Sequence, residues 1–188
     1  MTVGETVTLG SYPQGMWKKK TPLQWRVLDM RDGMALLLTD KVIDGGPYHN
    51  RFENMTWENC LLREWLNDGF LNDAFDAEQR GRLVEIQNPN VANPEYGTDG
   101  GAETKDNVFL LSIDETKRYF PKDADMKAYA TRFAVKQGVY ADKYTNLRSP
   151  GRDERYAAVV ISAGGILDEG FDLLHGDVGI RPAVWVRM

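Results

Sequence analysis

The sequence predicts a single α+β domain, with strands at both ends of the chain and helices between them. The N-terminal residues alternate between apolar and polar side chains, which is typical of a half-buried strand. The stretch from Thr56 to Phe75 instead repeats large apolar residues at every fourth position, as one face of a helix does. After Thr145, apolar runs separated by glycines indicate strands again. A length of 188 residues suits one such domain (1–188), and no linker or change of composition marks a second.

Strands joined by a hairpin turn are predicted for the N-terminal part of the chain. The first strand covers 3–12 and ends at Pro13. A second alternating run covers 23–29, and the turn signal Arg31-Asp-Gly33 follows it. The apolar run over 34–39 then predicts a buried return strand.

The middle of the chain is predicted to be helical. The Asp44-Gly-Gly-Pro47 segment first breaks the strand pattern. A helix is then expected between Thr56, a suitable N-cap, and Gly69, a suitable stop. Its apolar face is marked by Trp57, Leu61 and Trp65. A second helix is predicted over 76–85.

A long loop is predicted over 88–106, because prolines and glycines are frequent there and apolar residues are few. A buried strand over 107–111 follows it. The pattern Ser112-Ile-Asp-Glu115 is a capping box, which opens a short helix that Pro121 stops. Residues 122–143 carry only a loosely helical spacing of aromatic side chains.

The C-terminal part is predicted to form strands over 156–161 and 180–186, with a turn at 163–165. Residues 166–174 mix apolar and acidic side chains. Pro182 favours an edge or a bulge position for the last strand, because proline cannot donate to a strand ladder. The first and last strands are expected to pair with each other.

Short motifs in a fixed order run through nearly the whole chain. In the C-terminal third they are Leu147-Arg-Ser-Pro-Gly151, the pair Gly164-Gly165, Gly170 and Gly179-Ile-Arg-Pro-Ala183. Before them come Gly10-Ser-Tyr-Pro13, Leu23-Gln-Trp-Arg-Val-Leu28, Leu61-Leu-Arg-Glu-Trp-Leu-Asn67 and Gly97-Thr-Asp-Gly100. This series resembles an uncharacterised bacterial family of unknown function whose members close with an LRSPG…GVRPA pattern.

That closing pattern is similar to the C-type-lectin-like fold, in the branch of the formylglycine-generating enzymes and the variable proteins of diversity-generating retroelements. The resemblance implies paired terminal strands, two or three helices beside them, and a glycine-rich C-terminal sheet with a ligand-display region at 144–188. Formylglycine generation depends on cysteine chemistry, and this chain has only Cys60, inside the predicted helix. Formylglycine generation is therefore not expected. Residues 152–177 contain no asparagine, whereas the diversified segments of retroelement variable proteins are rich in it, so diversification is not expected either.

Composition and charge exclude several functional classes. A net charge of −5 argues against nucleic-acid binding, which needs clustered cations. One cysteine with two histidines, His49 and His175, disfavours a zinc centre. No apolar run approaches the roughly 20 residues of a membrane span. The N-terminus has no signal-peptide pattern, so a cytoplasmic location is expected.

The candidate ligand-binding residues are the polar and aromatic side chains between the C-terminal glycine motifs. Such residues at strand ends and loop tips can bind a small ligand or a partner protein, or can form a solvated rim. They are Arg152, Asp153, Glu154, Tyr156, Asp168, Glu169, Phe171, Asp172, His175 and Asp177.

The residues of the glycine motifs themselves are expected to be structural. Arg148 and Arg181 could each capture an anion, but a guanidinium with five donors also suits the bracing of loops through backbone carbonyls or a carboxylate. The second interpretation is preferred. Gly151, Gly179 and Pro182 are assigned the same structural role.

Metal and catalytic sites are weaker interpretations of the acidic residues. His175 near Asp172 and Asp177 could act as a general base, although no serine elbow or cysteine lies close in sequence. Calcium could bind Asp99, Glu103 and Asp106, but their spacing is not that of an EF-hand, and no cofactor is predicted.

Three functional hypotheses follow. The leading one is a non-enzymatic module that binds a ligand or protein through its C-terminal region. The second is an enzyme, a hydrolase or a metal-dependent enzyme, with its site around His175 and nearby carboxylates. The third is a structural or assembly component that buries Trp17 and the Lys18–Lys20 run on oligomerisation.

Overall fold

β-Sheets joined by short helices make up the chain in the computed structural model. The structure describes residues 1–140 and 144–188, and within them it contains a six-stranded sheet, a five-stranded sheet and a two-stranded ribbon. The mixed α+β class is the class that the sequence predicts. The strands are β1 Thr6–Pro13, β2 Lys20–Arg31, β3 Met34–Thr39, β4 Asp44–Gly45, β5 Leu83–Val84, β6 Ile86–Asn88, β7 Thr104–Asp106, β8 Val108–Phe109, β9 Tyr144–Pro150, β10 Tyr156–Ile161, β11 Ile166–Asp172, β12 Gly179–Ile180 and β13 Ala183–Arg187.

The first sheet has the order β1-β2-β3-β13-β5, and β8 also pairs with β13. Asp32 and Gly33 join β2 to β3 with positive φ angles of 50° and 74°, the geometry of a type I′ hairpin turn. This is the hairpin that Arg31-Asp-Gly33 predicts. The side chains of Leu23, Trp25 and Val27 on β2 are fully buried.

The predicted pairing of the first and last strands is wrong. β1 and β13 lie in the same sheet, but β2 and β3 separate them. The reason is the tight hairpin, which makes strands that are neighbours in sequence pair with each other. β13 pairs with the other edge of β3, where Trp185 lies opposite Leu36.

The second sheet has the order β11-β10-β9-β12-β4 and is built mainly from the C-terminal part of the chain. β9, β10 and β11 form an antiparallel meander, whereas β12 runs parallel to β9. β10 has the predicted bounds. The separate ribbon of β6 and β7 closes the base of the long loop, so the irregular part of that loop is 89–103.

The last predicted strand is in fact two strands in two different sheets. β12 pairs with β4 in the second sheet, and β13 pairs with β3, β5 and β8 in the first. Arg181 and Pro182 carry the chain from one sheet to the other. The edge position predicted from Pro182 is therefore wrong, because β13 is a central strand and the proline lies just before it.

The helical run differs from the prediction in its start and its end. A 3₁₀ turn, Trp57–Asn59, precedes α1, Leu61–Trp65, which continues as a π-helical segment, Leu66–Phe70, and as α2, Leu71–Ala74. Thr56 is the N-cap of this 3₁₀ turn, as predicted, but makes no side-chain capping bond. The N-cap of α1 itself is Cys60, whose Sγ accepts from the Arg63 amide at 3.4 Å. Gly69 does not stop the run, since an added Cβ there would lie 2.9 Å from the Trp65 ring and the glycine gives that ring space.

The other helices are short and have well-defined caps. They are α3 Ala77–Arg82, α4 Ile113–Tyr119, α5 Asp123–Met126 and α6 Arg132–Lys136. Capping boxes open α3, through Asp76 and Gln79, and α4, through Ser112 and Glu115 as predicted. More short helices form than the two or three expected. The last residues of the ambiguous 122–143 segment, 141–143, lie outside the described residues.

One apolar cluster joins side chains of both main sheets and of the helical run. It includes Trp25, Leu37, Phe70, Phe109, Leu147 and Val160. Trp57 and Trp185 are also buried, whereas Trp17 is 80% exposed, as the sequence predicts for the tryptophan beside the lysine run. Among the described residues, no helix is long and apolar enough to cross a membrane.

Candidate functional site

The β9–β10 loop places four predicted residues at one end of the second sheet. The Gly151 amide donates to the Tyr156 carbonyl at 2.6 Å, which closes the loop. Arg155 donates to Asp153 from its backbone amide at 2.9 Å and from Nε at 3.2 Å. The Glu154 carbonyl accepts from the Met55 amide at 2.8 Å and ties the loop to the segment before α1.

Two arginines of this loop stack on aromatic rings. The guanidinium carbon of Arg152 lies 4.0 Å from the centre of the Tyr156 ring, and that of Arg155 lies 5.1 Å from the Phe52 ring. The two rings meet edge to face at 6.4 Å. Arg152 also donates from Nη2 to the Tyr156 hydroxyl. We call Phe52, Arg152, Arg155 and Tyr156 the arginine–aromatic cluster; Phe52 was not among the predicted site residues.

A second group of predicted residues surrounds His175. The imidazole stacks on the Phe171 ring at 4.8 Å, and Phe171 meets Tyr144 edge to face at 4.7 Å. Asp177 lies 3.0 Å from Nε2 of His175, and Asp172 lies 3.6 Å from Nδ1. We call Phe171, Asp172, His175 and Asp177 the histidine cluster. It is half exposed, with 41% of the His175 side chain accessible.

Asp168 and Glu169 join neither cluster through their side chains in the described contacts. The Asp168 carboxylate pairs with Lys117 of α4 at 3.6 Å. The Glu169 side chain is exposed, and its carbonyl accepts from the Arg152 amide at 2.9 Å. These two residues therefore connect β11 to α4 and to the β9–β10 loop.

A catalytic role of His175 as a general base would need a nucleophile or a metal ion beside the imidazole. Its described contacts are two carboxylates and the Phe171 ring. In the part of the chain that the structure describes, no group of three or more His, Cys, Asp or Glu side chains is arranged to hold a metal ion. The two carboxylates and the Phe171 ring therefore fix the orientation of the imidazole at a half-exposed surface.

Arg148 makes contacts that brace the surrounding loops. Nη1 donates to the Leu110 carbonyl at 2.9 Å and to the Glu115 carboxylate. The Arg148 carbonyl accepts from the Tyr48 hydroxyl at 2.9 Å. The side chain is buried, so these partners also balance its charge.

Arg181 is buried like Arg148 but has different partners. Nε donates to the Thr39 carbonyl at 2.8 Å and Nη1 to the Met126 carbonyl at 3.2 Å. Burial lowers the pKa of its guanidinium to about 10. Gly151 and Gly179 lie where the chain packs tightly, since an added Cβ would lie 2.4 Å from the Glu169 carbonyl oxygen and from Val42, respectively.

The three carboxylates considered for calcium do not converge. Asp106 is fully buried and accepts from Arg63 Nε at 2.6 Å, from Trp57 Nε1 at 3.1 Å and from three further side chains. Asp99 accepts from the Gly101 amide, and Glu103 accepts from Gln87. Asp106 thus anchors α1 to β7 through a buried ion pair.

A pocket that the sequence does not predict lies beside α1. It has a volume of about 320 Å³, and Asp44, Trp65 and Gln137 are among the residues that line it. The Asp44 carboxylate accepts from the Tyr12 hydroxyl at 2.5 Å and from the Gly45 amide at 2.8 Å. Burial raises the pKa of this carboxyl group, and the two hydrogen bonds oppose that rise. The only signal in the sequence was the Asp44-Gly-Gly-Pro47 break in the strand pattern.

Comparison with known proteins identifies a family for this chain but indicates no function. A family model described as a domain of unknown function, DUF6273, matches residues 32–188. No curated protein and no solved structure matches the chain. The matched region contains both clusters, the two buried arginines and the Asp44 pocket. The chain belongs to the DUF6273 family.

Proposed function

We propose that this protein is a non-enzymatic binding module whose C-terminal display region, 144–188, binds a partner protein. The observation that carries the proposal is the arginine–aromatic cluster, in which two exposed guanidinium groups are already stacked on the exposed Phe52 ring and the half-buried Tyr156 ring. Arginine, tyrosine and phenylalanine are enriched in protein interfaces, and stacking reduces the entropy lost when such side chains are immobilised. The resemblance to C-type-lectin-like variable proteins agrees with a display surface in this region.

The chemistry of the cluster suggests what the partner presents. Phe52 is 50% exposed, so its ring can be covered by an apolar or aromatic side chain. Arg152 is about half exposed and lies 3.9 Å from Asp153, which leaves guanidinium donors available to a carboxylate. The expected partner is a protein segment that combines an aromatic or aliphatic anchor with an acidic residue.

A random-peptide display library tests this proposal. We expect the wild-type protein to enrich sequences with an acidic residue near an aromatic one. The double variant Phe52→Ala, Arg152→Ala should lose at least about tenfold in affinity for them, as the loss of one interface hot spot does. The variant Tyr129→Ala is the control, since Tyr129 is 70% exposed and outside the cluster. Peptides that bind the double variant as well as the wild type would contradict the proposal.

The Asp44 pocket supports a second candidate function, the binding of a small molecule. A cavity that combines apolar side chains with one buried acid of shifted pKa is a typical ligand site. Trp65 and Leu61 supply apolar surface, and Asp44 supplies a hydrogen-bonding group whose protonation can change. Such a ligand would carry a hydrogen-bonding group beside an apolar body.

A further inference from the structure

A small cavity lies where the two main sheets meet α4 and α5. Its volume is about 20 Å³. The apolar part of its wall includes Leu38 of β3, Leu147 of β9 and Val160 of β10. Arg181 and Asn146 supply polar groups at this wall. A cavity of this size holds one water molecule or one ion of similar size.

Arg181 brings a positive charge to this cavity without a carboxylate beside it. Both of its described hydrogen bonds go to neutral backbone carbonyls, and in residues 1–140 and 144–188 no carboxylate forms an ion pair with it. Asp40 acts on it only from a distance and is itself 3.9 Å from Arg26. Arg148, in contrast, pairs with Glu115. Buried charges are normally paired, because an unpaired buried charge destabilises the folded chain.

Two buried donors at the cavity have no described partner. They are Nη2 of Arg181 and Nδ2 of Asn146, and their residues are 7% and 5% exposed. Buried donors without an acceptor are rare in folded proteins. Thr116, another lining residue, already donates its hydroxyl to the Ser112 carbonyl at 2.7 Å. The cavity therefore offers donors and one positive charge, and what fits it is a small acceptor with a negative charge.

We propose that the cavity binds one small inorganic monoanion of the size of chloride, held by Arg181 Nη2 and Asn146 Nδ2. The anion balances the guanidinium charge and accepts from both donors. A volume of about 20 Å³ suits one atom-sized species better than sulfate or phosphate. The site joins β9 to the crossing between the two sheets, so its ligand is expected to stabilise the folded chain.

Thermal unfolding in sodium chloride and in sodium gluconate of equal ionic strength tests the proposal. A ligand that binds only the folded state raises Tm with its concentration, so a hundredfold rise in chloride above its Kd should raise Tm by roughly 5–11 °C. Gluconate is too large for the cavity and should have no such effect. Crystals grown in bromide should give an anomalous peak beside Arg181. Equal Tm values in both salts, with no bromide peak, would mean that the cavity holds water and would overturn the proposal.

Two variants test whether the rise of Tm with chloride arises from this cavity. Asn146→Asp places a carboxylate at the cavity, so we expect a protein that folds without chloride and no longer responds to it. Arg181→Gln removes the charge and should also lose the response. The control Arg82→Gln changes an exposed arginine of α3, away from the cavity and from both clusters, and should keep the wild-type response. A full chloride response in Asn146→Asp would contradict the site even if Arg181→Gln does not fold.

Discussion

Asp44 is a buried acidic side chain that lowers the stability of the folded chain. The residue is only 7% exposed, and burial raises the pKa of its carboxyl group. Its partner Tyr12 is also buried, and burial raises the pKa of the phenol, so the hydroxyl remains a donor. A buried carboxylate with no cationic partner among its described contacts is a costly group, and such groups are often functional.

We predict that Asp44→Asn stabilises the protein near neutral pH, by about 1 kcal/mol or roughly 2–4 °C in Tm. The asparagine Oδ1 can still accept from Tyr12, whereas Nδ2 cannot accept from the Gly45 amide. We expect the removed cost of burying a charge to outweigh that lost hydrogen bond. Thermal unfolding of both proteins over a range of pH measures the effect. The control Asp99→Asn should change stability by less than about 0.5 kcal/mol, as exposed substitutions do. Destabilisation by Asp44→Asn would show that the charge itself supports the fold.

The pH dependence of this effect has a definite sign. The pKa of Asp44 is higher in the folded chain than the ordinary value of about 3.9 in the unfolded chain. The stability that the protonated group contributes is therefore complete below about pH 3.9 and is lost as pH rises through the folded pKa. The gap between Asp44→Asn and the wild type should shrink on acidification through that window.

At the scale of the element, strand β11 depends on a glycine inside it. Gly170 has a positive φ of 69°, and an added Cβ would lie 2.0 Å from the Ala157 carbonyl oxygen of β10. The register of β10 against β11 shifts between Ala157 and Val159, so this glycine lies at a bulge. The bulge helps to place Phe171 and Asp172 of the histidine cluster at the end of the strand.

We predict that Gly170→Ala is much more destabilising than Gly97→Ala. Both positions have nearly the same φ, 69° and 70°, but nothing lies within 4 Å of an added Cβ at Gly97. Gly97→Ala should therefore cost only the left-handed backbone penalty of about 1–2 kcal/mol. Gly170→Ala adds a steric clash of about 1–3 kcal/mol. Denaturant unfolding measures both, and equal costs would show that the β10–β11 contact relaxes freely.

The elements also show which local signals the sequence carries. The hairpin at Asp32 and Gly33 and the capping box at Ser112 were predicted, because a few neighbouring residues determine each of them. Gly69 was misinterpreted as a helix stop, because glycine is common there and its contact with Trp65 depends on side-chain packing. Arg152 and Tyr156 of the arginine–aromatic cluster are predicted as binding residues, because they lie close together in the sequence. Phe52 is not predicted, because it comes from a distant segment of the chain.

At the scale of the molecule, pairing between distant segments was not predictable from the sequence. The sequence predicts the α+β class but places β1 beside β13, although β2 and β3 lie between them. The Asp44 pocket has the same origin, since Tyr12, Asp44, Trp65 and Gln137 come from separate parts of the chain. Such juxtapositions depend on tertiary packing, which local propensity and periodicity do not specify.

The family match begins at residue 32, so it leaves out both β1 and β2. These two strands could therefore be dispensable for folding. The structure indicates that they are not. Leu23, Trp25 and Val27 of β2 are at most 1% exposed and belong to the main apolar cluster. β2 also covers the edge of β3, which would otherwise present unpaired backbone groups to solvent.

We predict that a chain of residues 32–188 does not unfold cooperatively, whereas a chain that lacks only residues 1–3 does. The short deletion removes exposed residues and leaves the bond from the Gly4 amide to the Val27 carbonyl in place. The long deletion removes three fully buried side chains, of which a tryptophan alone contributes about 3–5 kcal/mol. This loss is of the order of the total stability of a domain, 5–15 kcal/mol, roughly. Circular dichroism during heating and limited proteolysis would distinguish the two chains. A sharp transition for residues 32–188 would mean that β3 can serve as an edge strand and that the matched region folds by itself.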